Sequence, residues 1–110
     1  MNILVKLHGG LKESTGTDSV QVTVEEKKGA PVFLSLLKKL MAMDRIGMVI
    51  INAITGDEFK NASMDALDWT QLQPGVIILL NDADIRLSGG LEAPLKEGDV
   101  ITFLPIIHGG

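Results

Sequence analysis

The residues of this chain with the clearest chemical potential are its last three, His108-Gly109-Gly110. They follow directly on an apolar, strand-like run, Val100-Ile101-Thr102-Phe103-Leu104-Pro105-Ile106-Ile107. Glycine has no Cβ, so two in succession let an extended backbone enter a channel too narrow for any side chain. This ending points to the Gly110 carboxylate as the reactive group, presented to another protein's catalytic pocket. Residues 106–110, fully extended, reach at most about 17 Å at roughly 3.3–3.6 Å per residue, enough to leave a domain and thread a pocket. Gly109 and His108 are then the threading residues. Ile106 and Ile107 fix the exit of the tail and contact the partner, unless they serve only in edge packing. The competing reading of the pair is an accidental chain end. With glycine at roughly 7% of residues, two terminal glycines arise in about 0.5% of chains, and Gly9-Gly10 and Gly89-Gly90 make chance more frequent here.

Other chemistries lack their residues. The chain has no cysteine, which excludes disulfides, thiolate metal sites and thiol nucleophiles of its own. No Ser/His/Asp set or phosphate-binding glycine loop occurs. The Asn81-Asp82-Ala83-Asp84 segment lacks the spacing and distal glutamate of a calcium loop and reads as a turn. The two histidines, His8 and His108, fall at the same end of the sheet if the outer strands run parallel. They could share a stray metal ion, but two imidazoles alone make a poor site. The expectation is therefore no metal and no bound cofactor.

The elements that must position the tail come from pattern. A length of 110 residues suits one domain. Net charge is −4, with basic residues scattered, so a direct nucleic-acid ligand is not expected. No apolar run is long enough to span a membrane, and Met1–Lys6 does not resemble a signal peptide. A cytoplasmic, monomeric protein is the expectation.

Alternation predicts strands over about 2–8 and 19–25, antiparallel to each other. Gly9-Gly10 reads as a turn. Pro31 suits the first turn of a helix, whose stripe Phe33, Leu36, Leu37, Leu40 and Met41 runs to about Asp44–Gly47. Met48-Val49-Ile50-Ile51-Asn52 reads as a short strand and Thr55-Gly56-Asp57 as a turn. Met64 to Leu72 reads as a short helix with Trp69, closed by Pro74-Gly75. Val76–Leu80 and 100–105 read as buried strands, and Ile85-Arg86-Leu87 as a brief edge strand. With one main helix, this is an α+β domain: a mixed sheet covered on one face, the β-grasp pattern, with first and last strands parallel. Residues 1–105 form the domain and 106–110 the flexible tail. Ile101 and Phe103 share one face of the last strand, Val100 and Leu104 the other. One set must face outward for docking; the pattern does not decide which, and Phe103 is assigned to partner binding.

Three segments in order, Leu80-Asn81-Asp82-Ala83-Asp84, Leu95-Lys96-Glu97-Gly98-Asp99-Val100 and His108-Gly109-Gly110, make the chain resemble the ubiquitin-like sulfur carriers. This is the group of MoaD, ThiS and the ubiquitin-related modifier, and the His-Gly-Gly ending is most similar to the modifier. The resemblance implies that a partner enzyme adenylates Gly110 with ATP and that a persulfide then leaves a thiocarboxylate there. It further implies sulfur transfer to a tRNA uridine or a molybdopterin or thiazole precursor, and conjugation of the tail to target lysines. In that reading the chain is a carrier and not an enzyme; its partners are the activating enzyme and a sulfur acceptor or target lysine. Two alternatives stay open: a MoaD-like small subunit of molybdopterin synthase, and a non-catalytic β-grasp interaction module.

Overall fold

The computed structural model describes residues 1–26, 29–55 and 67–106. Its strands are β1 (Asn2–Leu7), β2 (Ser19–Thr23), β3 (Val76–Leu80), β4 (Ala83–Asp84) and β5 (Val100–Pro105). Its helices are α1 (Gly9–Thr15), α2 (Phe33–Ala42) and α3 (Arg45–Thr55), with 3-10 turns at Trp69–Gln71, Ile85–Ser88 and Gly90–Glu92. The strands form one mixed sheet in the order β2-β1-β5-β3-β4. β1 and β5 run parallel at its centre, Val5 opposite Ile101 and Leu7 opposite Phe103. The other pairings are antiparallel.

Alternation along the strands decides the two faces. Ile3, Val5, Leu7, Val22, Ile78, Ile101 and Phe103 are buried. They meet the α2 stripe of Phe33, Leu36, Leu37 and Leu40, all fully buried. The Phe33 and Phe103 rings lie 6.3 Å apart at 39°, a tilted pair of the kind aromatic quadrupoles favour. No buried side-chain nitrogen or oxygen among the described residues lacks a hydrogen-bond partner.

The α+β class and the parallel first and last strands agree with the pattern. The helix count does not. The Met48–Asn52 segment, expected as a strand, lies inside the eleven-residue helix α3. Ile50, Ile51 and Ile54 are buried on its inner face, a spacing of one, three and four that suits a helix and not a strand. Asp44 starts it, its carboxylate accepting the Ile46 amide at 3.2 Å. The β-branched residues favour strand only weakly, and burial against α2 overrides that preference. α2 consequently ends at Ala42, before the expected 44–47, and begins at Phe33. Pro31 lies outside it, where its carbonyl accepts the Leu95 amide, while the Ser35 hydroxyl accepts the Val32 amide at 3.1 Å.

The glycine pair at 9–10 starts α1 instead of a turn, and Gly16 in the left-handed region (φ 78°) ends it. Leu11 and Thr15, four apart, bury its inner side. Ile85–Leu87 is a 3-10 turn and not an edge strand, because Ile85 turns fully into the core. Of the helix expected over 64–72, only the turn Trp69–Gln71 occurs among the described residues; Met64–Ala66 and the turn residues Gly56 and Asp57 lie outside them.

The α2–α3 contact depends on a missing side chain. A Cβ on Gly47 would be driven into the Leu40 carbonyl and come within 2.9 Å of the Met43 Cβ. Overpacking of this kind costs about 1–3 kcal/mol or more. Gly47→Ala is therefore expected to lower the melting temperature by at least ~4 °C, at about 4–8 °C per kcal/mol for a domain of this size. Gly10→Ala, where a Cβ meets nothing within 4 Å, is expected to leave it unchanged or higher in the same thermal melt.

Candidate functional site: the root of the C-terminal tail

β5 ends at Pro105, and the Ile106 amide still donates to the Gly75 carbonyl at 2.8 Å, extending the β3–β5 pairing by one residue. Ile106 is exposed (53%). Ile107, His108, Gly109 and Gly110 lie outside the described residues. The structure thus carries the backbone to the threshold of the expected working segment and fixes its direction of departure.

Phe103 requires a correction. The sequence pattern assigns it to partner binding, but its side chain is fully buried against α2. Ile101 shares that inward face, so the outward set is Val100, Thr102 and Leu104. Beside these stand Leu4 opposite Val100 and Lys6 opposite Thr102 on β1, with Leu79 opposite Thr102 and Ile77 opposite Leu104 on β3. Leu4, Ile77, Leu79, Val100 and Leu104 are half-buried. The face of the sheet that no described helix covers is therefore apolar, and it leads along β5 to Ile106. A sheet face without a partner is usually polar, and contiguous apolar surface marks an interaction site.

The segments 80–84 and 95–100 meet at the other end of β5. Asn81 and Asp82 adopt left-handed backbone (φ 50° and 73°), which asparagine and aspartate tolerate better than other side-chain-bearing residues. The Asn81 amide group donates to Asp99 Oδ1 at 2.9 Å, and its oxygen accepts the Val100 amide at 2.9 Å. Asp99 Oδ2 accepts the Lys96 amide at 2.8 Å, and Asp99 is buried (6% exposed). These residues fasten the β3–β4 turn to the first residue of β5. Their role is to fix the register of the strand that carries the tail.

Next to this turn Asp84 pairs with Arg86. Asp84 Oδ1 accepts the Arg86 amide at 2.9 Å, and Oδ2 accepts Arg86 Nη2 at 2.7 Å. The side-chain hydrogen bond from Arg86, then the bond from its amide, hold the Asp84 carboxyl at about 2, below its ordinary 3.8. Sequence reasoning reads a turn and then a brief edge strand here, and misses the ion pair. It also misses the Trp69 ring, which lies over Gly90 so closely that a Cβ there would sit 3.3 Å from it.

His8, at the N-terminal boundary of α1, is exposed. With His108 outside the described residues, the pairing of the two histidines is not part of the described site.

The residues from Asn2 to Gly110, tail included, match the family described as Urm1 (Ubiquitin related modifier). The chain belongs to the ubiquitin-related modifier family. Ubiquitin-related modifier 1 of Saccharomyces cerevisiae is 30% identical over 110 residues, covering 100% of this chain and 99% of that protein. SAMP1 from Haloferax volcanii matches in fold with a TM-score of 0.71 at 19% identity, each chain covered completely. A chain of the BexX/CysO complex of Amycolatopsis orientalis matches with a TM-score of 0.58 at 28% identity, over 98% of this chain and 99% of that one. The β-grasp class read from the pattern is therefore the fold of this ubiquitin-like modifier. No helix among its described residues is long and apolar enough to cross a membrane.

Two outcomes are expected of the fastening residues. Asp99→Ala strands the Asn81 amide group and the Lys96 N–H, at a cost of about 1–3 kcal/mol. Chemical denaturation should show that loss for Asp99→Ala, and the Asn81→Ala/Asp99→Ala double variant should lose less than the sum of the two single losses. For Asp84, the folded value lies below the unfolded one, so its contribution to stability is complete above the ordinary carboxylate range and fades as pH falls toward 2. Carboxyl NMR should find its midpoint near 2, and Arg86→Ala should raise it.

Proposed function

We propose that this modifier carries sulfur and forms protein conjugates through the Gly110 carboxylate. A carboxylate resists nucleophiles because it is negatively charged. A partner enzyme that adenylates it with ATP removes that obstacle: a carboxylate oxygen attacks the α-phosphorus and pyrophosphate leaves. A persulfide sulfur then attacks the acyl carbon, AMP departs, and reduction of the resulting acyl disulfide by a thiol leaves a thiocarboxylate on Gly110. The alternative attack, by a lysine amine of a target protein on the activated acyl carbon, gives an isopeptide bond. The chain supplies the substrate end and a docking surface; ATP is bound by the partner, and this chain binds no cofactor of its own.

The observation that carries the reading is the alignment of an apolar sheet face, which no described helix covers, with the strand that leads to the tail. A partner seated on Ile77, Leu79 and Leu104 lies beside Ile106 and can receive His108, Gly109 and Gly110 in a narrow channel. The family match through Gly110 supports the same assignment. The sulfur acceptor proposed is a tRNA-thiolating or cofactor-forming enzyme, and the cytoplasm is the compartment where such partners are met. A permanent small subunit inserted in a larger enzyme is less well supported, since His108 stands where that branch usually has alanine.

Intact-mass analysis of the protein from its native host is expected to show a fraction in which one oxygen is replaced by sulfur, or a Gly110–lysine adduct. Deletion of Gly110 should abolish both without altering the melting temperature. A deletion that leaves the partner complex and the cellular phenotype intact would identify a simple binding module instead. Ile77→Glu, on the outward face, should raise the KM for the modifier in ATP–pyrophosphate exchange by more than tenfold with little change in kcat.

A further inference from the structure

The outward face of the sheet is apolar over one part only. β2, at the sheet edge, presents the polar Ser19, Gln21 and Thr23 there, while β5 and β3 present the apolar surface described above. Lys6 stands at the border. Its row across the strands runs from Ser19 through Lys6, Thr102 and Leu79 to Asp84. Asp84, at the far end, is committed to Arg86. Lys6 is exposed, and among the described residues no hydrogen bond or ion pair engages its ammonium. Thr102, its neighbour in the row, is only 6% exposed, and its hydroxyl has no hydrogen-bond partner there either. No fully buried side-chain oxygen among the described residues lacks a partner, so this hydroxyl is open to the surface. Two free donors therefore stand side by side where the polar edge meets the apolar surface.

We propose that Lys6 and Thr102 together receive one carboxylate of the activating enzyme, an Asp or Glu side chain set among apolar residues of its docking surface. This deepens the carrier reading given above and rests on it. Charge complementarity selects the occupant. A partner that covers Leu4, Val100 and Leu104 also reaches Lys6, and covering an ammonium without a counter-charge is costly. An apolar partner or a neutral carbonyl leaves that charge uncompensated. A carboxylate compensates it and, with two oxygens and about four lone-pair sites, accepts the hydroxyl as well. Neighbouring strands lie about 4.7–4.9 Å apart, which puts both donors within reach of one carboxylate. The pairing also orients the partner. With its acid held at Lys6 and its apolar surface on β5 and β3, the enzyme leaves β2 uncovered and sits along the strand that leads to Ile106. One charge of fixed sign at the border discriminates against partners whose matching surface is wholly apolar or basic.

The test is ATP–pyrophosphate exchange by the native host's activating enzyme on the full-length chain. Lys6→Met keeps the aliphatic stem and removes the charge. It should raise KM about tenfold at constant kcat, and Lys6→Glu about a hundredfold or more. Thr102→Val should raise KM about threefold, and the Lys6→Met/Thr102→Val double variant should lose less than the product of the two, because both donors share one acceptor. Added salt should raise the KM of the unmodified chain and leave that of Lys6→Met nearly constant. The thermal melts of both Lys6 variants should match the unmodified chain, since Lys6 is exposed and unpaired. A KM that is unchanged or lowered in Lys6→Met would show a wholly apolar docking surface and overturn the proposal. A double variant that loses the full product would assign the two donors to separate acceptors and overturn the shared carboxylate. A chain that is never adenylated would defeat the carrier reading and this proposal together, whereas normal adenylation of Lys6→Met and Lys6→Glu would defeat this proposal alone.

Discussion

The parallel pairing of β1 with β5 is the constraint on which the rest depends. It sets the last strand in the middle of the sheet, between β1 and β3, so β5 is held by hydrogen bonds on both sides along most of its length. A strand gripped in this way cannot tilt or slide without breaking two ladders, and a one-residue slip would exchange Phe103 with an outward residue. The backbone is therefore held in place as far as Ile106. The end of β5 is a rigid mount.

The packing explains how a chain with few aromatic residues holds that mount. Phe33 and Phe103 meet across the sheet–helix interface, and the aliphatic faces of α2 and α3 fill the space around them. The α2–α3 approach is close because Gly47 presents bare backbone to the Leu40 carbonyl. At the far end, Asn81 and Asp99 carry out with side chains what a continuing ladder would do with backbone. The conspicuous polar residues at that end of the domain thus serve geometry.

Much of the fold was legible in the sequence because β1, β2, β3, β5 and α2 have unmixed patterns. Val76–Leu80 and Val100–Pro105 are bounded by turn residues, and the α2 stripe repeats at helical spacing. α3 was not legible as a helix because Val49-Ile50-Ile51 is a continuous β-branched run; the broader spacing of Ile50, Ile51 and Ile54, with Asp44 ahead of them, carried the helical signal. α1 was hidden behind two glycines whose usual meaning is a turn. The family was legible from the ending and the 80–84 and 95–100 segments. The orientation of β5 was not, because both of its faces are apolar, and only the three-dimensional placement of α2 decides that Phe103 points inward.

Leu4 and Val100 are neighbours in space but stand at opposite ends of the chain. Contacts so distant in sequence carry a large loop-closure cost and are characteristic of slow, cooperative folding. A chain that has lost β5 leaves both β1 and β3 with an unpaired edge. For this protein, loss of β5 and loss of the folded domain are consequently a single event.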